Sequence, residues 1–309
     1  MPMSGDKARR KFLFWLAVLL ALCVLALVLP HVTPHDPIKS DLLSVNKPPS
    51  AEYPLGTDSV GRCIACRMMA GLHTSLFAAL AITALSFVIG SVVGALSGYV
   101  GGALDTVTMR VVDAFMAFPS LVLSIAVAGL LGGGLANAVI ALTVVDWTRF
   151  ARLARSQVLA LKTRTFVVAE RLGGLSSPWI ALVHVLPNIL PPLIVTACLD
   201  VGGMMLNLAG LSFLGLGAAP PAPELGSMVN QAAGTFQVAP WAVFAPAAVI
   251  LAAVMVLNMF GDAANDMLMA SGAPSAHRRA GKPHRKSTAS QPAEQGPRRG
   301  EADDSKQAH

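Results

Sequence analysis

Long apolar runs constrain this chain more than any other feature of its sequence. A helix that spans a bilayer needs about 20 consecutive, mostly apolar residues, and several runs reach that length. Only 13% of the 309 residues are charged, which is about half the share in an ordinary soluble domain. The runs therefore predict an all-α, polytopic membrane helical bundle.

Six runs are long enough to cross a membrane, and they divide the chain into five parts. The predicted spans are at about residues 12–29, 74–98, 110–131, 135–152, 186–211 and 241–260. The first run resembles a signal peptide but has no small-residue cleavage site, so we interpret it as a retained anchor. The five parts are an N-terminus at 1–11, a first transmembrane helix at 12–30, a loop at 31–72, a transmembrane domain at 73–270 and a disordered tail at 271–309.

The positive charges predict the orientation of the bundle. Lys and Arg concentrate in cytoplasmic segments, and here they lie before the first span, at 149–171 and after residue 271. The loop at 31–72 has balanced charge, which is typical of an exterior loop. Both termini are therefore predicted to be cytoplasmic. The net charge of +6 indicates topology, and no motif for nucleic acid accompanies it. The basic tail either contacts anionic lipid or is simply solvated.

Small residues mark one face of the second span. Gly90, Gly94 and Gly98 are spaced four apart, which places them on one side of a helix and permits close contact with another helix.

A Cys-x-x-Cys pair lies in the predicted exterior loop. Cys63 and Cys66 supply only two ligands, too few for a zinc site, and we interpret His31 and His35 as ordinary loop residues. The sequence thus predicts no metal site and no catalytic residues. A local disulfide and two unrelated thiols both remain open.

Carboxylates within the apolar spans need a partner, because charge at mid-bilayer costs about 2.5–3.5 kcal/mol. Asp146 lies three residues before Arg149, and Asp113 lies three residues after Arg110. Residues three apart face each other on a helix, so each of these two pairs is predicted to form an ion pair.

The segment at 163–188 is too polar to span a membrane and too patterned to be a simple loop. A short helix is predicted around 166–170, and the glycines at 173–174 break it. Ser-Pro at 177–178 is typical of a helix start. The segment is either an element that transmits force from a docked partner or an amphipathic interfacial loop.

This segment resembles the "EAA" coupling loop of binding-protein-dependent ABC permeases. Val168, Ala169 and Glu170 occupy the Glu-Ala-Ala positions, although Val168 stands where the family has Glu and Glu170 where it has Ala. Gly174 occupies the glycine position, and Leu-Pro follows at 186–187. The resemblance implies an ATPase-coupling loop that contains Phe166, Val168, Ala169, Glu170, Gly174, Leu186 and Pro187.

Other motifs resemble the C-type subunit of dipeptide and oligopeptide permeases. They are YPLGTDSVGR at 53–62, MRVVDAFMAFPSL at 109–121, LSFLGLG at 211–217 and LNMFGDAANDML at 257–268. The chain departs from that pattern at Cys63, where the family has Asp, and at Cys66, where Ser is usual. Asp146 and Asp200 stand where small or apolar residues are usual, and Leu208 stands where Glu is frequent.

The resemblance implies one half of the pore of an ATP-driven peptide importer in the bacterial inner membrane. The expected partners are a second permease subunit, ABC ATPase subunits, an extracytoplasmic peptide-binding protein and the bilayer. ATP and Mg are expected on the ATPase subunits, because no GxxxxGK[ST] phosphate loop occurs in this sequence. The chain is therefore expected to bind no cofactor and to be no enzyme.

Two questions stay open at this level. Asp200 and Asn207 share a face of the fifth span and either line the translocation path or, in the case of Asp200, bond a neighbouring helix. The substrate is a peptide by resemblance, while related permeases carry nickel or other small solutes. A secondary transporter would show inverted repeats, and a membrane enzyme would need a catalytic constellation; we find neither in the sequence.

Overall fold

The computed structural model describes residues 5–165, 179 and 181–272. Its helices are α1 (Gly5–Val28), α2 (Ile64–Val100), α3 (Gly102–Met116), α4 (Ser120–Leu130), α5 (Leu135–Lys162), α6 (Leu186–Phe213), α7 (Leu225–Ala233) and α8 (Trp241–Gly272). A π-helical turn, Ala181–Val185, runs directly into α6. Within these residues the extended structure amounts to an isolated bridge between Thr57 and Cys63. The all-α prediction is confirmed.

Four described helices are long and apolar enough to cross a membrane: α1, α2, α6 and α8. α3 and α4 form a fifth candidate only as a pair, because they are bent by 93° at the break between them. The prediction of one continuous third span at about 110–131 is therefore wrong. Pro119 lies in the break and disfavours helical geometry in the residue before it. α5 has 28 residues but carries several charges, so six crossings is an approximate number.

The exterior loop predicted at 31–72 is shorter than the sequence indicated. α2 begins at Ile64 rather than near residue 73, and the sulfur of Cys63 caps it by accepting the N–H of Cys66 at 3.4 Å. The stretch between the predicted fifth and sixth spans contains α7. Glu224 caps α7 by accepting hydrogen bonds from the N–H groups of Gly226 and Ser227. Its carboxylate is buried, and these hydrogen bonds offset the free-energy cost of removing it from water.

The glycine face of α2 packs directly on α5, as predicted. A Cβ placed on Gly90 would lie 2.3 Å from the carbonyl oxygen of Trp147, and one on Gly94 would lie 2.1 Å from that of Ala151. At Gly98 the nearest atom would be the carbonyl oxygen of Arg155, at 3.1 Å. The two backbones thus approach too closely for any side chain at 90 or 94.

The outermost helix, α1, lies on α8 and leaves most of its apolar surface uncovered in this chain. Only Ala8 and Ala26 of α1 are buried among the described residues. The ring centroids of Phe12 and Phe260 lie 5.7 Å apart, and Lys11 forms an ion pair with Asp266 at 2.7 Å. The start of α1 and the end of α8 therefore lie at the same end of the bundle, which agrees with the predicted common side.

Candidate functional site: the coupling segment and the charges beside it

The predicted coupling loop is described only where it joins the membrane helices. Phe166, Val168, Ala169, Glu170 and Gly174 lie outside the described residues. Leu186 and Pro187 are the first two residues of α6, where a proline is compatible with a helix because the first N–H groups need no acceptor.

The two helices that flank the coupling segment are packed together. Val185 from the π-helical turn and Ile189 and Leu193 from α6 form one buried apolar cluster with residues of α5. The α5 members are Phe150, Ala154 and Val158. At the end of α5 the ammonium of Lys162 donates to the carbonyls of Gly98 and Tyr99 at 3.0 and 2.6 Å. The end of α5 and the start of α6, which flank the coupling segment, are thus in contact with each other, and the end of α5 also contacts the end of α2.

Arginines on one face of α5 reach carboxylates on two other helices. Arg155 and Asp105 of α3 form a two-pronged pair, with N–O distances of 2.5 and 2.6 Å. Arg152 pairs with Asp113 at 2.6 Å. The predicted pair between Arg110 and Asp113 is therefore wrong, because a residue on the adjacent helix lies closer to the carboxylate than the one a turn away.

Asp200 is the buried member of this set. It lies in the middle of α6 with 3% of its surface exposed, and its carboxylate forms an ion pair with Arg149 of α5. The predicted pairing of Arg149 with Asp146 is wrong for the same geometric reason. One carboxylate oxygen each of Asp146 and Asp200 is buried without a hydrogen-bond donor among the described residues. The side chain of Arg149 is 53% exposed, so its guanidinium faces both Asp200 and the surface of this chain.

Asp200 and Asn207 do share one helix face, because α6 is continuous from 186 to 213 and seven residues make nearly two turns. Asn207 is half-buried, whereas Asp200 is buried. The open alternative for Asp200, a bond to a neighbouring helix, is present in the structure. A pore-lining role for the two residues stays a prediction.

A second polar cluster ties together the residues near the other end of the bundle. Arg67, only 1% exposed, donates to the carbonyls of Pro37 and Pro221 at 3.0 and 3.2 Å. Arg62 pairs with Asp58 at 2.7 Å and donates to Gln231 at 2.9 Å. Sequence analysis treated these charges only as a balanced loop. The spacing of Asp58 and Arg62 could have indicated their pairing, but no local signal pointed to the contacts of Arg67.

Nearby, Asp41 caps the turn at 42–44. It accepts a hydrogen bond from the hydroxyl of Ser44 at 2.6 Å and one from the N–H of Leu43 at 3.1 Å. These bonds lower the pKa of the Asp41 carboxyl below its usual value. A further group, His35 with Cys63 and Cys66, brings three metal-ligating side chains together.

Known proteins are similar in sequence to this chain over most of its length. It is 37% identical to the dipeptide transport system permease protein DppC of Haemophilus influenzae, over 85% of this chain and 91% of that protein. It is 40% identical to the nickel transport system permease protein NikC of Escherichia coli K12, over 82% of this chain and 91% of that one. Identity to the probable D,D-dipeptide transport system permease protein DdpC of the same strain is also 40%, over 82% of this chain and 85% of DdpC.

The model of one family, the binding-protein-dependent transport system inner membrane component, matches residues 90–270. This range runs from the glycine face of α2 through the coupling segment to the end of α8. The chain belongs to the family of inner-membrane components of binding-protein-dependent transport systems.

Proposed function

We propose that this chain is one membrane subunit of an ATP-driven importer of dipeptides or other short peptides. The observation that carries the proposal is the likeness to DppC and DdpC, both named for dipeptide transport, over more than four fifths of this chain. ATP hydrolysis is assigned to separate ATPase subunits. A second permease subunit and an extracytoplasmic binding protein complete the importer, and both termini of this chain lie in the cytoplasm.

The coupling segment between α5 and α6 receives the movement of the ATPase subunits. Movement there has two routes into the membrane helices, the apolar cluster at the bases of α5 and α6 and the ion pair between Arg149 and Asp200. ATP can shift the pore between its two states only by favouring one of them over the other. The ion pair between Arg149 and Asp200 joins α5 to α6, so it can transmit such a free-energy difference from one helix to the other.

Uptake in cells that lack this chain tests the proposal. The panel is labelled dipeptides, pentapeptides and nickel, which is included because NikC is a relative. Cells are complemented with the intact chain or with Gly174→Trp. We expect dipeptide uptake to be lost, to return with the intact chain and to fail with the variant, while the variant still copurifies with its second permease subunit.

Two outcomes would contradict parts of the proposal. Loss of nickel uptake with normal peptide uptake would overturn the peptide assignment and leave family membership standing. Full uptake with Gly174→Trp would overturn the role of the coupling segment, because a bulky side chain at a glycine that the sequence predicts to break a helix is expected to disturb any surface docked on it.

A further inference from the structure

We propose that His35, Cys63 and Cys66 form a binding site for one transition-metal cation of the zinc class. One ligand atom of each residue lies within 4.8 Å of those of the other two. Two sulfurs and one imidazole nitrogen are the donors that zinc and similar borderline or soft cations prefer. Spacing along the chain indicated only the Cys-x-x-Cys pair, and the fold supplies the third ligand from the segment that follows α1.

The three side chains lie close together before any metal binds. Cys63 and Cys66 are 3% and 1% exposed, and their sulfurs lie 2.8 Å apart at the first turn of α2. The imidazole of His35 stacks on the ring of Tyr53, with centroids 4.9 Å apart. Two sulfurs bound to one tetrahedral cation, at Zn–S distances of about 2.3 Å, lie about 3.7 Å apart, so on binding the two thiolates separate by about 1 Å while the short loop and the stacked ring keep the three ligands near one another.

An unpaired nitrogen favours a metal over a simple disulfide. Nδ1 of His35 is buried and has no hydrogen-bond partner among the described residues, and leaving a buried polar atom unpaired costs free energy. A disulfide between Cys63 and Cys66 would leave the imbalance at His35 unchanged. A cation bound to all three groups fixes the ring through a nitrogen and fits the general rule that buried polar atoms are satisfied.

Charge balance also suits a divalent cation. On binding, Cys63 and Cys66 each release one proton to solvent, the two thiolates and the neutral imidazole ligate the cation, and no net charge is added. The adjoining cluster already contains two buried arginines, Arg62 and Arg67, beside Asp58. A neutral metal–dithiolate unit is compatible with this surplus of positive charge, whereas a bare cation is not.

Such a site would join the two ends of the segment between α1 and α2. His35 lies a few residues after α1, and the cysteines lie at the start of α2. Closing that loop restricts the unfolded chain, and a cation that binds only the folded state stabilises it by mass action. The site is independent of the transported substrate, so its test does not depend on peptide uptake.

Cobalt(II) binding to the purified, full-length chain in detergent, reduced and freed of metal, tests the proposal. We expect one cobalt per chain, with a thiolate-to-cobalt charge-transfer band and the visible bands of a tetrahedral site, and displacement by zinc. His35→Asn and Cys66→Ser should each weaken the affinity by at least about tenfold. Zinc should raise the thermal unfolding midpoint of the intact chain and not that of the variants.

Matched variants keep the test independent of folding. Cys66→Ser, alone or with Cys63→Asp, restores the residues usual in the C-type motif and should leave the fold intact. Cys23→Ser changes a cysteine of α1 outside the cluster and should bind cobalt as the intact chain does. The proposal is overturned if the reduced chain binds no stoichiometric cobalt or if His35→Asn leaves the spectrum and affinity unchanged. Trapping of thiols in intact cells that finds Cys63 and Cys66 joined as a disulfide would also overturn it.

Discussion

At the residue scale, the position of Arg149 between a buried carboxylate and the surface is the most consequential feature. Within the described residues Asp200 has this guanidinium as its ion-pair partner, and its carboxylate is buried in the middle of α6, where an unpaired charge is costly. The pair also links the helices on either side of the coupling segment. We therefore expect removal of either member to lower the stability of the protein and to weaken the connection between α5 and α6.

Arg149→Met is expected to destabilise the solubilised protein more than Arg152→Met. The first change leaves Asp200 buried without its cation, a loss of about 3–5 kcal/mol for a fully buried pair and less here because Arg149 is half-exposed. The second breaks a pair exposed on both sides, which contributes about 0–1 kcal/mol. Thermal unfolding midpoints measure the difference. Arg149→Met combined with Asp200→Asn should recover part of the loss; simple additivity of the two changes would mean that the pair is not coupled.

Transport assays distinguish the two roles open to Asp200. If it lines the translocation path, Asp200→Asn lowers uptake per assembled complex or alters the range of peptides accepted. If Asp200→Ala lowers the yield of complex but leaves uptake per complex and substrate range unchanged, the pore hypothesis is wrong. Asn207→Ala serves as the companion variant on the same face of α6, since Asn207 is outside the ion pair.

At the element scale, the contact between α2 and α5 determines the spacing of the bundle. Three glycines, one per turn, let the two backbones touch, and in lipid such packing replaces the hydrophobic effect as the cause of association. In this position the arginines of α5 reach carboxylates on α3 and α6.

Gly94→Ala is expected to destabilise the protein, whereas Gly129→Ala is not. The added methyl group at 94 would lie 2.1 Å from the carbonyl oxygen of Ala151, and one at 129 would meet no atom within 4 Å. Overpacking of this kind costs about 1–3 kcal/mol or more, while alanine in an open helical position gains up to about 1 kcal/mol over glycine. Thermal unfolding of the two variants in the same detergent gives the comparison. Equal midpoints would show that α2 and α5 can separate without cost.

At the scale of the whole molecule, Arg67 holds two distant segments of the chain together. Its guanidinium donates to Pro37, in the segment after α1, and to Pro221, in the segment after α6. Asp58 lies 3.6 Å away and balances part of its charge. Arg67 thus links the segment after α1 to the segment after α6, beside the contacts of Arg62 with Asp58 and Gln231.

Arg67→Met is expected to weaken the link between the segment after α1 and the segment after α6. It removes hydrogen bonds from a charged donor, each of which contributes about 1.5–3 kcal/mol, and leaves the carbonyls of Pro37 and Pro221 without the donor that Arg67 supplies. Limited proteolysis of the reconstituted protein should then cleave within 32–63 faster than in the intact chain. Lys39→Met, which changes an exposed residue of the same segment, is the control and should leave the cleavage rate unchanged.

The sequence by itself determined the features that depend on neighbours along the chain. Long apolar runs become helices because lipid supplies no hydrogen bonds to an open backbone, so α1, α2, α6 and α8 could be predicted. The glycine face followed from helical periodicity alone. The motifs placed the chain among binding-protein-dependent permeases, while the role of the coupling loop stays a prediction, since Phe166 to Gly174 lie outside the described residues.

Only the tertiary structure decided which distant groups meet. Asp200 pairs with Arg149 across two helices, α3 and α4 bend at Pro119, and His35 joins Cys63 and Cys66. Pairing by sequence spacing failed for Asp113 and Asp146 because an ion pair depends on distance in space. That distance is set by how closely helices pack, and the identity of the packed partner is not encoded within either helix.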